Sequence, residues 1–432
     1  MEHHLKIDNL GPIKHCALDV SNYMVLTGYQ ASGKSTIAKV IYYFRSVKDE
    51  LAAVMMRQFQ SQDYSTPLED ALRRHLMEKL YRTFGVAAVS VPGMKISYSY
   101  TKDIWIHISV GEKRKNFRFS PQLKDFLHSL DNEYRTGDVH AKFSEVNGLN
   151  EYLAKKTKEF NLLFNDSYET IYIPAGRSIL TLLSSQWNYL YSTMDDAQKS
   201  LFDECTRDYI ENVLLLKSLY SRDYERKSLD TLTDAHLRDL SKKADTLRNF
   251  ILKGRYVCEN GTEKIELSNS SKVDLNFASS GQQEVVWVLN FLYIRLITHR
   301  PSYFIIEEPE SNLFPASQKY VTELISLVVN AGHASLVTTH SPYVLGAMNN
   351  LLYASTLPTA KLKEADSILS KECWISPDYF SSYFVENGVV SDCIDHEIKQ
   401  IDSSKMDAIS SIVNDEYDRL SMLMWDDEGR NV

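Results

Sequence analysis

The stretch from Tyr23 to Arg45 constrains this chain more than any other: an apolar run, YMVLTG, passes through Gly28-Tyr29-Gln30-Ala31-Ser32-Gly33-Lys34-Ser35 into a helical pattern. The octet fits GxxxxGK[ST], and the chemistry of that spacing needs a strand before it and a helix after it. Its glycines let the backbone curl round phosphate groups. Successive N–H groups converge at the helix N-terminus, the lysine bridges β and γ oxygens, and the last hydroxyl ligates Mg²⁺. Gly28, Ser32, Gly33, Lys34, Ser35 and Thr36 are thus the expected contacts to ATP, with Ser35 also on Mg²⁺. A strand that turns into a helix in this way belongs to an α/β fold.

Three later segments add to it. Tyr303-Phe304-Ile305-Ile306-Glu307-Glu308-Pro309-Glu310 is an apolar strand ending in paired carboxylates. Glu307 would hold Mg²⁺ through water, and Glu308 would polarise the water that attacks the γ-phosphate. A solvated strand end reads the same way, so the pair takes its meaning from its company. Upstream, Ser279-Ser280-Gly281-Gln282-Gln283-Glu284 opens a helix whose free N–H groups and dipole suit a phosphate, although a serine there also suits a plain cap. Ser311-Asn312-Leu313 follow the acidic pair, and Thr338-Thr339-His340-Ser341-Pro342 end the next strand.

Taken in order, these motifs resemble those of the ABC ATPase superfamily, whose signature is a Ser-Gly-Gly-Gln run at the start of a helix. Ser280 and Gly281 match its core, while Gln282 replaces the second glycine, as in the SMC-like branch. The resemblance implies that Ser280 and Gly281 cap the γ-phosphate held by an opposite subunit. It also implies that Glu307 stands where the family usually has Asp, that residues 311–313 form the D-loop, and that His340 is the switch histidine, catalytic together with Glu308. The likeness is close over residues 1–45 and 270–350 and loose elsewhere. Arg177, in YIPAGRS, follows a strand stopped by Pro174 and Gly176. It is a candidate for touching nucleotide or a lobe interface, with a plain surface arginine as the open alternative. No Q-loop glutamine can be chosen among Gln58, Gln60 and Gln62.

Around these motifs the pattern predicts two opening strands, a helix over about 68–84, and an alternating stretch from Met94 to Phe119 that reads as an antiparallel meander. Residues 121–253 read as mainly helical, and alternating strands and helices return after them. The expected fold is α/β: an ABC-type P-loop NTPase head with an antiparallel β meander, a helical insertion serving as a short arm or lid, and a small C-terminal α/β tail. The expected divisions are an N-terminal ATPase lobe (1–120), the insertion (121–253), a C-terminal ATPase lobe (254–355) and the tail (356–432). The tail carries a hairpin-like stretch, SSYFVENGVVSDC, and a helix from about Lys405 to Met424.

Composition limits the partners. The net charge of -9, from 57 acidic and 48 basic residues, leaves nucleic acid to a local patch, for which Glu112–Arg118 is a candidate and a solvated turn the alternative. The five cysteines form no CxxC or Cys/His pair, which argues against zinc, iron–sulfur clusters and a disulfide framework and fits a reducing cytosol. No run approaches the roughly 18 apolar residues a membrane span needs, and the N-terminus lacks an export signal, so the expected location is cytoplasmic.

Without spans, long heptad arms or a CxxC hook, the chain resembles compact bacterial ATPases of the overcoming-lysogenisation-defect type, including the ATPase subunits of phage-defence systems such as Septu and PARIS. That likeness implies a homodimer joined through its ATP sites, or a higher homo-oligomer. It further implies a separate effector, a nuclease of TOPRIM or HNH type, and a phage trigger protein. No DxD pair or His-Asn-His run suggests nuclease chemistry in this chain itself. The alternative is a RecF-like repair ATPase that binds duplex DNA.

Overall fold

The computed structural model describes residues 3–61, 63–112, 115–135, 148–183, 186, 189, 192–199, 202–219, 222–259, 262–402 and 414–422. Two opening strands, β1 (His3–Leu10) and β2 (Ile13–Val20), pair antiparallel. The apolar run becomes β3 (Tyr23–Gly28), followed by α1 (Lys34–Arg45), α2 (Val47–Ser61) and α3 (Leu68–Phe84). The expected meander is β4 (Lys95–Ser99), β5 (Trp105–Val110) and β6 (Lys115–Phe119), each antiparallel to the next. Lys113 and Arg114, from the basic run, lie outside the described residues.

Next come α4 (Pro121–Arg135) and α5 (Gly148–Leu163), the strand β7 (Glu169–Ile173), and α6 (Arg177–Leu182), α7 (Asp196–Lys199), α8 (Glu204–Leu219), α9 (Arg222–Thr231) and α10 (Ala235–Leu252). A separate antiparallel sheet of β8 (Arg255–Glu259), β9 (Thr262–Glu266) and β10 (Lys272–Asp274) leads into α11 (Ser280–Thr298). The chain continues through β11 (Ser302–Glu307), α12 (Pro315–Asn330), β12 (Ala334–Thr339) and α13 (Pro342–Thr356). The hairpin β13 (Phe380–Glu386) and β14 (Val389–Asp392) follows.

One sheet of eleven strands collects most of these in the order β6-β5-β4-β1-β2-β14-β13-β3-β12-β11-β7. The run from β13 to β7 is parallel throughout. Of these, β3, β11 and β12 are buried along their whole length, which accounts for their largely apolar sequences. Alternation then shares the residues between two cores. Met24, Leu26, Tyr303, Ile305 and Leu336 join the one under α1–α3 and the meander, while Val25, Phe304, Ile306 and Val337 join the one under α10–α13.

The segment read as a tail departs most from expectation, because its hairpin enters the middle of the sheet. β13 lies directly against β3, pairing Val385 with Gly28, and the turn Asn387-Gly388 has both residues at positive φ, as a two-residue hairpin turn requires. Gly388 O accepts from Lys14 N and His15 N at 2.8 and 3.1 Å, and a Cβ at Gly388 would come within 2.2 Å of Pro12 O. A helix is present over 414–422, with 403–413 and 423–432 outside the described residues.

The central place of β13 gives a test. A chain ended at residue 376 leaves the polar edge of β3 uncovered inside an apolar layer and should be recovered as aggregate in size-exclusion chromatography. A chain ended at residue 402 should stay folded, with a thermal midpoint within about 4 °C of the full chain.

Candidate functional site

In a doubly covered parallel sheet, side chains and loops at the carboxyl ends of the strands meet where the strand order reverses, and ligands sit there. Here β3, β12, β11 and β7 end side by side. Their ends carry the glycine-rich loop, His340, the acidic pair and the 174–177 turn.

The loop has the predicted form. Gly28 and Gly33 hold φ of 138° and 112°, and Ala31 also takes a positive φ of 60°. A Cβ on Gly28 would stand 2.2 Å from Val385 O, so the neighbouring strand by itself demands glycine there. Gly33 caps α1, and Lys34 is its first residue. The Lys34 ammonium is buried and donates to Gly28 O and Tyr29 O at 2.7 and 2.8 Å, which pins it over the loop. Burial lowers its pKa, while the charges of Glu308, Glu310 and Glu307 act in the opposite direction. Ser32 is buried, Ser35 exposed and Thr36 half-buried.

The acidic group has three members. Glu307, at the end of β11, is buried and accepts from Ala175 N at 3.1 Å through Oε2. Glu308 is held at φ 43°, a costly conformation for a residue with a side chain. Its N–H donates to Thr338 O at 2.9 Å, its Oε2 accepts from Ser311 Oγ at 3.2 Å, and its Oε1 lies 3.4 Å from His340 Nδ1. The imidazole beside it holds the Glu308 carboxyl below the usual range, and Glu308 in turn raises His340. The sequence pattern assigns no role to Glu310, although EEPE contains it. It is almost fully buried, accepts from Thr339 Oγ1 and His340 N at 2.5 and 3.2 Å, and is pushed up by that burial. It fixes the backbone from which His340 projects.

Of the other expected residues, Ser280 is the exposed first residue of α11, and the cap is Ser279, reciprocally bonded with Gln282 in a capping box. The glutamine that departs from the family pattern is therefore a cap partner. Gly281 faces the 311–313 turn so closely that a Cβ would meet Asn312 O at 2.5 Å. Arg177, expected to touch nucleotide or a lobe interface, is fully buried, which sets aside the plain surface arginine, and its guanidinium donates to protein carbonyls. Gln58 lies in α2 and bonds Thr66 O, and Gln62 is outside the described residues.

The residues fit a hydrated divalent cation beside bound phosphate. Glu307 Oε1, Ser32 Oγ and Thr27 Oγ1 are buried at this edge without a hydrogen-bond partner, an arrangement that natural interiors seldom leave uncompensated. Together these groups can bind a triphosphate, neutralise its developing charge and orient a water at Glu308.

The Glu308–His340 pair predicts a measurable titration. His340 in the folded chain should show an NMR pKa above the ordinary 6.5, and in Glu308→Gln it should fall back toward that value. Since the raised group is the histidine, whatever the pair adds to stability is present below 6.5 and lost as pH rises through the folded pKa. An unchanged His340 titration in the variant would contradict the pairing.

The chain is similar to an SMC head domain from Thermotoga maritima at 10% identity, over 90% of this chain and 97% of that one, with a TM-score of 0.37. It is similar as well to an SMC head bound to the C-terminal winged-helix domain of ScpA, at 11% identity over 90% and 96% with a TM-score of 0.40. A third is an SMC head with an extended coiled coil bound to the C-terminal domain of ScpA, derived from Pyrococcus furiosus, at 11% over 90% and 95% with a TM-score of 0.37. No curated protein matches the chain. Among the described residues no helix is long and apolar enough to cross a membrane. The family model of the AAA ATPase domain matches residues 1–345, so the chain belongs to the AAA ATPase domain family.

Proposed function

We propose that the chain hydrolyses ATP at a site completed by a second copy of itself. The observation that carries this reading is the meeting of Lys34, Glu307, Glu308 and His340 at one sheet edge, with Lys34 feeling the charge of all three neighbouring carboxylates. Gly28, Ser32, Gly33, Lys34, Ser35 and Thr36 hold the triphosphate. Ser35 and Glu307 would hold Mg²⁺, which would supply neutralisation of the charge on the phosphates. Glu308 accepts the proton of the attacking water, and His340 steadies its carboxylate and meets the γ-phosphate. Ser280 and Gly281, exposed or backed by the 311–313 turn, cap the phosphate of the second copy through the α11 N-terminus.

The finer proposal rests on motif order. ATP-dependent dimerisation or assembly senses phage infection in the cytoplasm and controls a separately encoded nuclease of TOPRIM or HNH type, with a phage protein as trigger. One feature favours the second reading, duplex DNA. On the outer face of the meander, Lys6, Lys95 and Arg118 share a side with His107, registered through Ser97, and with Asp8, which stands opposite Lys95 and contacts His15. A gel shift that needs ATP and weakens steeply with salt would favour that reading.

Two variants test the ATPase. Lys34→Ala should abolish ATP binding, because the β and γ oxygens lose their fixed cation. Glu308→Gln should bind ATP yet hydrolyse it about a hundredfold more slowly and accumulate as a dimer in size exclusion. Mixing Lys34→Ala with Ser280→Arg chains should recover part of the activity, since one of the two sites in a mixed dimer then has neither defect. No recovery in demonstrably mixed dimers would reject the shared site.

A further inference from the structure

Arg177 has a place that catalysis through Lys34 and Glu308 does not explain. Its Nη1 donates to Pro174 O and Glu307 O at 2.8 and 2.6 Å, its Nη2 to Glu308 O at 3.1 Å, and its Nε to Glu284 O at 2.9 Å. Glu284, in the second turn of α11 and equally buried, returns the contact. Its carboxylate accepts from Arg177 N and Ser178 N at 2.9 and 2.7 Å and lies 3.5 Å from Arg177 Nη2. Three segments that are distant in sequence therefore converge on one guanidinium: the turn after β7, the turn bearing the acidic pair, and the first turns of α11. Only a planar fork with several fixed donors can hold carbonyls in such different directions.

Two of those segments carry different halves of the chemistry. The carbonyls of Glu307 and Glu308 fix the turn in which Glu308 sits at φ 43°, and that conformation persists only while its surroundings over-determine it. Ser280 and Gly281 stand one turn before Glu284 on the same helix.

We propose that Arg177 is a positioning residue which, with Glu284, forms a buried strut between the signature end of α11 and the Glu308 turn. Movement of α11 when Ser280 meets nucleotide on the second copy is passed within the chain to the carboxylate that orients water at its own site. The coupling rests on the two-copy reading above; the positioning of Glu308 does not.

Arg177→Lys, which keeps the charge and loses the fork, separates these roles when ATP affinity, kcat and the Hill coefficient of turnover are measured together. The expected result is affinity within about twofold of wild type, kcat lower by about tenfold or more, and a Hill coefficient falling from near 2 toward 1. Glu284→Gln should likewise lower kcat and the Hill coefficient with affinity within about twofold of wild type, and serves if Arg177→Lys fails to fold. Wild-type kcat and Hill coefficient in a folded variant overturn the proposal, as does a loss of affinity equal to the loss of kcat, which would put Arg177 on the nucleotide. If the wild-type Hill coefficient is 1 and Glu308→Gln never dimerises, the two-copy reading and the coupling fail together. The kcat loss at unchanged affinity then decides the positioning of Glu308 by itself.

Discussion

Charged groups at the carboxyl edge of a sheet buried on both faces must be satisfied by the protein itself, and much of this molecule is arranged around that demand. Lys34, Glu307, Glu310, Arg177 and Glu284 are all nearly or fully buried. Taking each from water costs several kcal/mol unless hydrogen bonds or opposite charge offset it. Backbone supplies most of the compensation: Gly28 O and Tyr29 O for Lys34, the 174–178 turn for Glu307 and Glu284, and the strand-end carbonyls for Arg177. Side chains so held cannot follow a ligand freely, so the site is preorganised.

The sequence shows the parts of this arrangement that depend on local rules. The glycine-rich octet, the acidic strand end and the capped start of α11 each need particular residue types at fixed spacing, and strands buried on both faces declare themselves as apolar runs. What it hides is set by tertiary contact. Nothing local in FSSYFVE says that the strand will lie against β3, because the pairing of Val385 with Gly28 closes a loop of more than three hundred residues. Gly28 looks like a phosphate-loop glycine from sequence and takes a positive φ, but a reason for glycine that the sequence hides is Val385 O.

Arg177 and Glu310 show the same limit for single residues. An arginine after a Pro/Gly-stopped strand reads as exposed, since charge belongs in water by default. Its burial makes sense only when Glu284, more than a hundred residues away, is known to share the site. Glu310 reads as the third acid of a solvated turn until Thr339 and the His340 amide are seen to bind it. In both, a polar residue becomes internal because its partners come from other strands, and a single sequence carries no mark of that pairing.

The two cores bear differently on the site. β3, β11 and β12 divide their side chains between them, so neither core can shift without the strand ends feeling it. The Glu308 turn sits where those ends meet and is held from two sides, by Thr338 O across the sheet and by Arg177 from the β7 edge. Thr338 belongs to the strand that also carries His340, whereas Arg177 is bonded to the helix that carries Ser280. The conformation of one residue, Glu308, thereby depends on both the strand that leads to His340 and, through Arg177, the helix that begins at Ser280. That dual dependence gives a physical reason for keeping a strained backbone at this position: it can be tightened from either side.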